Sequence, residues 1–309
     1  MNVFDAHCDA LLKIWENPQR DFTNSNELDV NYERLRLGKV KVQCFALFAE
    51  PDLTIEEKYQ SILRQVELFQ TEVISKHDHI KHIKEWNDIT DLQDHEIGAI
   101  LTLEGVDCIG DNLTKLNIFY QLGVKSIGLT WNQANLCADG VGEPRGAGLT
   151  LLGKQFVQLN NEYRVWTDVA HLSEKGFWDV MELADLPVAT HCNARALCDH
   201  HRNLTDEQIV ALVKKGGWVG LVWHPLFLTG TEQATISDCI RHIDHLCSLG
   251  VKDHICFGSD FDGISVFVKG LENASKYPYF IEELLKHFSE EDVKQFTYGN
   301  FENYINRIS

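Results

Sequence analysis

Basic residues are in short supply. Lys and Arg number 28 against 46 Asp and Glu, so the formal charge, 28 − 46, is −18. Polyanionic partners are thereby excluded. Every phosphate contact needs a cationic group, and a surface this acidic repels nucleic acid as well as an anionic lipid face. Long apolar runs are also missing. Nothing approaches the roughly 18 consecutive apolar residues of a membrane-crossing helix, and no basic flank followed by an apolar stretch marks a secretory signal. There are only six prolines and no low-complexity tract, which leaves no flexible linker and points to residues 1–309 as one domain. Paired cysteine motifs are absent. The nine cysteines are odd in number and never spaced Cys-x-x-Cys, a usage that fits small buried apolar residues in a reducing cytoplasm and argues against a thiolate zinc site.

What is present is the composition of an ordinary globular protein, 44% hydrophobic and 24% charged. Eight short apolar runs punctuate it: Val3–Asp9, Lys41–Phe48, Gly98–Gly105, Lys125–Thr130, Val165–His171, Pro187–Cys192, Gly217–His224 and His254–Asp260. They mostly lack the polar alternation of a half-exposed strand, as expected of parallel strands covered on both faces. Between them the apolar spacing is helical: Glu56–Ile83, Asn112–Leu122, Leu149–Tyr163, Ser173–Ala184, Thr205–Lys215 and Ile236–Leu249. Ser173 and Thr205 read as N-caps, the latter with Gln208 placed to close a capping box. Gly123, Gly216 and Gly250 stand just past helix ends, where a left-handed residue is wanted. Eight strand–helix repeats match a closed (β/α)8 TIM barrel of about 250 residues, with extra helices after about Ser265. An open doubly wound sheet is the runner-up, disfavoured because no Gly-rich turn follows the first run.

The C-terminal ends of these runs, which in a barrel converge on one mouth, carry a collection of imidazoles and carboxylates that the N-terminal ends do not match. The ends read His7-Cys8-Asp9, Glu104-Gly105, Asp168-Val169-Ala170-His171, Thr190-His191, His224 and Gly258-Ser259-Asp260. Imidazoles and carboxylates reachable from one centre suit Zn²⁺ or a similar divalent ion. In a strand His7 and Asp9 project to the same side and can clasp one ion, His171 and His191 can hold a second, and Glu104 can give an oxygen to each. Two ions about 3.5–4 Å apart acidify a shared water into a nucleophile. His242-Ile243-Asp244 and His77-Asp78-His79 repeat the ligand types but fall on amphipathic segments and read as solvated surface. Cys8 and Cys192 should face the helices as packing, and His224 is a candidate to face the substrate.

Together these segments resemble the membrane (renal) dipeptidases, metallopeptidases with a binuclear zinc (β/α)8 barrel. The resemblance covers nearly the whole chain and rests on Phe4-Asp5-Ala6-His7-Cys8-Asp9, Leu103-Glu104-Gly105, Leu129-Thr130-Trp131-Asn132, Asp168-Val169-Ala170-His171, Thr190-His191, Arg202-Asn203 and Gly258-Ser259-Asp260-Phe261-Asp262-Gly263. It implies that His7 and Asp9 bind one zinc, His171 and His191 the other, and Glu104 bridges them. It also implies that Asp260 is the catalytic carboxylate, passing a proton to the leaving amine, and that Arg202 grips the substrate's free carboxylate. Mammalian members carry a histidine where this chain has Trp131, a substrate-facing position at the end of strand four. The indole N–H can donate there but cannot take a charge. No lipid-anchor signal is present, so the mammalian cell-surface location does not carry over.

The expectation is therefore a cytoplasmic dipeptidase in which a hydroxide bridging two zinc ions attacks small dipeptides, L,D-dipeptides among them. Mn²⁺ or Co²⁺ would suit the same ligands, and a homodimer through outer helices is compatible with the fold. Two other readings stay open: a different binuclear hydrolase acting on a lactone, phosphoester or N-acyl amino acid, and a metal-binding relative without turnover.

Overall fold

The computed structural model describes residues 1–309. Eight parallel strands form its centre: β1 (Val3–Asp5), β2 (Val40–Leu47), β3 (Ile97–Glu104), β4 (Val124–Gly128), β5 (Trp166–Asp168), β6 (Pro187–Val188), β7 (Val219–Leu221) and β8 (Ile255–Phe257). Each pairs with its neighbours in sequence, and β8 pairs back onto β1 through Asp5 and Phe257. The ring closes between β6 and β7 by a parallel bridge of Ala189 with Val219, where Gly220 N–H donates to Ala189 O at 2.7 Å. The expected (β/α)8 barrel is thus observed, with all eight runs in their expected order.

The closure is tight enough to dictate residue type. A Cβ on Gly220 or Gly258 would lie 2.1 and 1.8 Å from Thr190 O, so only glycine lets the β6 backbone approach both strands. Every residue of β2 is buried, which explains why its sequence does not alternate. One apolar cluster of 71 residues lies between strands and outer helices. A second, of 15, takes Phe4, Val42, Cys44, Ile100, Trp166, Val188 and Cys256 from six strands and must fill the barrel's interior. The C-terminal helix Asn300–Ile308 plugs the bottom of that interior, with Phe301 stacked on Phe4 at 3.7 Å. The opposite end, where the strands finish, is left open for chemistry.

Several local expectations hold for the stated reasons. Ser173 accepts from Gly176 N–H and Thr205 forms a reciprocal capping box with Gln208. Gly123, Gly216 and Gly250 adopt φ of 88°, 87° and 77°. Helices do follow Ser265, ending the chain at Tyr277–Leu284, Glu290–Lys294 and Asn300–Ile308.

Others need correction. The segment expected to be one helix over Glu56–Ile83 is helical from Ile55, turns π-helical over Phe69–Ile74, and ends in a strand, Ile80–His82, paired parallel to the start of β3. Helical spacing of Ile80 and Ile83 is outweighed by the open edge of β3 beside them. His242 and His77 are not solvated surface. His242 is buried, accepting from Ala194 N–H and meeting Leu228 O at 3.1 Å. His77 is buried with its ring between Val73 O and Thr23 Oγ1. Both ring nitrogens are satisfied in each, by two backbone groups in His242 and by a carbonyl and a hydroxyl in His77, so burial costs little. Cys8 and Cys192 do pack into the main apolar cluster, and all nine cysteines are free. No helix is long and apolar enough to cross a membrane.

Candidate metal centre and substrate cavity

Strand ends, rather than strands, present the candidate ligands. Phe4 and Ala6 belong to the inner cluster and Val3 to the outer one, so an uninterrupted strand would send His7 and Asp9 outward. The chain leaves strand geometry after Asp5 instead. Asp5 fixes that departure: its carboxylate accepts from His7 N–H, Ser259 N–H, Ser259 Oγ and Tyr277 OH. One buried acid thereby ties the end of β1 to that of β8. His171, Asp260 and Asp262 have φ of 66°, 64° and 67°, a left-handed conformation that costs energy for residues with a Cβ and persists where the surroundings enforce it.

The result is one compact constellation. His7 Nε2 lies 3.3 Å from Asp9 Oδ2, 3.5 Å from Glu104 Oε2 and 3.9 Å from Asp260 Oδ1. His171 Nε2 lies 2.9 Å from Glu104 Oε1, and His191 Nε2 3.6 Å from the same oxygen. Each oxygen of Glu104 therefore faces a different set of ligand atoms. The two histidine Nε2 atoms of the second set are 2.9 Å apart. All five residues expected to hold metal, together with Asp260, are thus brought together. His7, Glu104 and His191 form one group able to hold an ion, and His7, Asp9 and Asp260 another.

These residues fit divalent cations. His7 Nε2 is buried without a hydrogen-bond partner, although buried polar atoms are ordinarily satisfied. The far sides of the other imidazoles are held: His171 Nδ1 is 2.8 Å from Asn132 Oδ1, and His191 Nδ1 is 2.9 Å from Thr190 Oγ1, which donates to Asp168. An amide oxygen only accepts, so His171 carries its proton on Nδ1 and presents an Nε2 lone pair to the centre. Protonation tells the same story. Burial lowers His171 to about 4, with Arg202 adding to it, and holds His191 well below the usual imidazole range. Burial pushes Asp260 up to about 8, the charge of His7 opposing and those of Asp9 and Glu104 adding. Burial would lower His7 too, but Glu104 and Asp9 outweigh it and raise it well above the ordinary value. Two neutral imidazoles, and a third held protonated by the crowded carboxylates around it, form a donor set whose excess negative charge a divalent cation would take over, displacing the His7 proton.

Above the centre lies a cavity of about 370 Å³. Its wall includes Glu104, His171 and Asp260 together with Trp131, Asn132, Arg202, His224 and Phe227. Leu12, Lys13, Glu16, Phe48 and Glu50 line another part. Trp131 packs its ring against Phe48 at 5.3 Å and so stands as a cavity wall, as expected of a substrate-facing residue. Arg202 is 4% exposed. Its guanidinium reaches only His191 O at 3.3 Å and Cys192 Sγ at 3.9 Å, lies 5.4 Å from the Phe227 ring, and leaves Nε unpaired. No carboxylate comes near enough to pair with it. Gly263 closes the floor: a Cβ there would meet Asp9 Oδ2 at 2.3 Å and Asp260 Oδ1 at 2.6 Å.

Comparison with known proteins gives this arrangement a lineage. A family model described as "Membrane dipeptidase (Peptidase family M19)" matches residues 1–307. The chain belongs to the M19 membrane dipeptidase family. Within M19-like sequences it is 30% identical over 304 residues to "Dipeptidase aclJ" of Aspergillus oryzae, covering 91% of this chain and 70% of that one. An uncharacterised Klebsiella pneumoniae protein is 38% identical over 185 residues, covering 56% of this chain and 68% of its own. Among solved structures, a metallopeptidase from Rhodobacter sphaeroides liganded with a phosphinate mimic of the dipeptide L-Ala-D-Ala superposes with a TM-score of 0.93 at 25% identity, over 100% of this chain and 99% of that one. A dipeptidase described as belonging to family M19 gives a TM-score of 0.92 at 27% identity, over 99% of this chain and 98% of that one. Membership makes this chain a metallopeptidase-family hydrolase.

Sequence reasoning missed residues of this M19 site that carry no motif of their own. Asp5 has no role in the motif reading, and Asn132 enters it only as a donor to the substrate rather than as the partner of His171, because only contact distances reveal what they hold. Leu12, Lys13 and Glu16 could have been suspected, since the helix Ala10–Glu16 starts directly after Asp9. Glu50 and Phe227 offered no signal.

Proposed function

We propose that the protein hydrolyses dipeptides bearing a free C-terminal carboxylate, with two zinc ions held by His7 and Asp9 on one side, His171 and His191 on the other, and Glu104 between them. The observation that carries this reading is Arg202, a buried guanidinium with no anionic partner, opening onto the same cavity as the metal-ligand cluster. A charge so placed is costly unless a ligand completes it, and its fork suits a planar carboxylate. A neutral lactone offers no anion to that fork. Mn²⁺ or Co²⁺ would fit the same oxygen and nitrogen donors.

Divalent cations bound there supply Lewis acidity toward the peptide carbonyl and lower the pKa of water. The chain's own residues do the rest. Arg202 fixes the terminal carboxylate and thereby the register of the scissile bond. Asp260 takes the proton that the attacking water loses and returns it to the amide nitrogen as the C–N bond breaks, so an amine leaves rather than an amide anion. Burial suits it to that exchange, because its proton is lost near neutral pH. Asn132 keeps the His171 ring oriented. A cavity of about 370 Å³ is near the small end of ligand sites, which favours dipeptides over longer chains. Tolerance of a D-residue at the C-terminal side belongs to the same proposal, supported by the ligand of the Rhodobacter sphaeroides structure. The nine unpaired cysteines support a reducing, cytoplasmic setting, and a site drawn from residues 7 to 260 supports one functional unit.

The test is hydrolysis of L-Ala-D-Ala and L-Ala-L-Ala by protein of measured metal content, before and after chelation. Activity should vanish with the metal and return with zinc. Undiminished turnover by metal-free protein would refute the mechanism.

A further inference from the structure

His224 has a donor that nothing in the chain uses. We propose that His224 donates its Nε2 hydrogen to the substrate's C-terminal carboxylate beside Arg202, and so helps set the requirement for a free acid; this rests on the dipeptidase reading above.

His224 follows β7 by three residues and lines the cavity. Its Nδ1 accepts the Leu226 N–H at 3.3 Å, capping the short helix Pro225–Thr229. A neutral imidazole that accepts at Nδ1 carries its hydrogen on Nε2. Burial, with His200 and Arg202 adding, lowers the ring to about 4, so it is neutral at pH 7 and that tautomer persists. No protein atom bonds Nε2, and the residue lines the cavity, so the hydrogen is available to a bound substrate.

Phe227 sets the geometry. The His224 ring centroid lies 4.4 Å from that of Phe227, and the Arg202 guanidinium carbon lies 5.4 Å from the same ring. Both donors thus pack against the Phe227 ring, and all three residues line the cavity. A carboxylate has lone pairs enough for a guanidinium fork and one further N–H. A site that hydrogen-bonds a substrate group rejects analogues lacking it far more strongly than an apolar wall rejects a change of size.

The experiment compares zinc-loaded wild type with His224→Phe, which keeps a ring over Phe227, and His224→Asn, which keeps an N–H donor and a helix cap. Values of KM and kcat are measured on L-Ala-D-Ala and on its C-terminal amide. His224→Phe should raise KM for the acid by about 10-fold or more with kcat little changed, the effect of losing one hydrogen bond to a charged acceptor from uniform binding. The amide should respond by less than about threefold, and His224→Asn should recover part of the loss. Should the Phe variant not fold, His224→Ala carries the same comparison. Equal losses on acid and amide, or none on the acid, would overturn the role of His224. Failure of wild type to cleave any dipeptide would instead remove the reading on which it rests.

Discussion

Replacing Gly263 with alanine adds one methyl group where the structure leaves no room for it. The new Cβ would stand 2.3 Å from Asp9 Oδ2 and 2.6 Å from Asp260 Oδ1. Ordinary contact begins at 3.4 Å, so the two oxygens must retreat by 3.4 − 2.3 and 3.4 − 2.6, or 1.1 and 0.8 Å. Both belong to short side chains that can rotate, and Gly263 has no positive φ, so alanine is permitted by the backbone. The fold should survive with a stability change within about 1 kcal/mol, as for substitutions away from core and strain. The chemistry should not survive. A misplacement of about 1 Å costs on the order of 10²-fold in rate, and here a metal ligand and the proton carrier move together. We expect kcat/KM on L-Ala-D-Ala to fall at least about 100-fold, and metal stoichiometry to drop from two ions toward one. Thermal melting and elemental analysis of the same sample, beside steady-state kinetics, decide the matter. A folded Gly263→Ala protein that keeps activity within a few-fold would show that neither Asp9 nor Asp260 is used as argued.

Other outcomes follow from the same geometry. Arg202→Met should lower kcat/KM for a free dipeptide by about 10²-fold or more, since a charge-assisted fork is lost, yet leave stability equal or higher, because an unpaired buried charge is removed; urea unfolding beside kinetics checks both. Asp260→Asn should reduce kcat by at least about 10²-fold while zinc content stays above one ion per chain, separating proton transfer from metal binding. Asn132→Leu should weaken the second ion by about 10-fold or more, the usual cost of losing a ligand's orienting partner, as read by competition with a chelator. His242 gives a pH effect. Burial lowers it from 6.5 to about 4, and protonation would break the bond from Ala194 N–H. From pH 6.5 down to about 4 the unfolded chain binds a proton that the folded chain refuses, so stability present above 6.5 falls by up to about 3 kcal/mol across that window. His242→Gln should flatten this slope in acid titrations followed by circular dichroism.

Much of the site was legible because barrel topology turns a one-dimensional pattern into a place. Near-continuous apolar runs named the strands, and ligand-type residues at their C-terminal ends had one mouth to converge on. Convergence gathered His7, Asp9, Glu104, His171 and His191, with Asp168, His224 and Asp260 beside them, from fourteen histidines and 46 acids, and the resemblance supplied the role of Asp260. The same logic failed for His242 and His77. Their segments are amphipathic, and pattern cannot tell a solvated imidazole from one whose ring nitrogens are both satisfied by protein groups, some of them far away in sequence. The strand Ile80–His82 was hidden for a related reason: its partner, the open edge of β3, is not local.

Composition and periodicity by themselves determined the fold class, the order of the strands and the chemical type of the site, since these depend on which faces must be buried and on where like groups recur. Tertiary structure alone decided how the ligands aim. His7 would face outward on an unbroken strand; Asp5, bonded to Ser259 and Tyr277 more than 250 residues away, ends that strand and turns the imidazole inward. It also decided that Arg202 has no anionic partner and His224 a free hydrogen, because a missing contact can be seen only when every neighbour is in place.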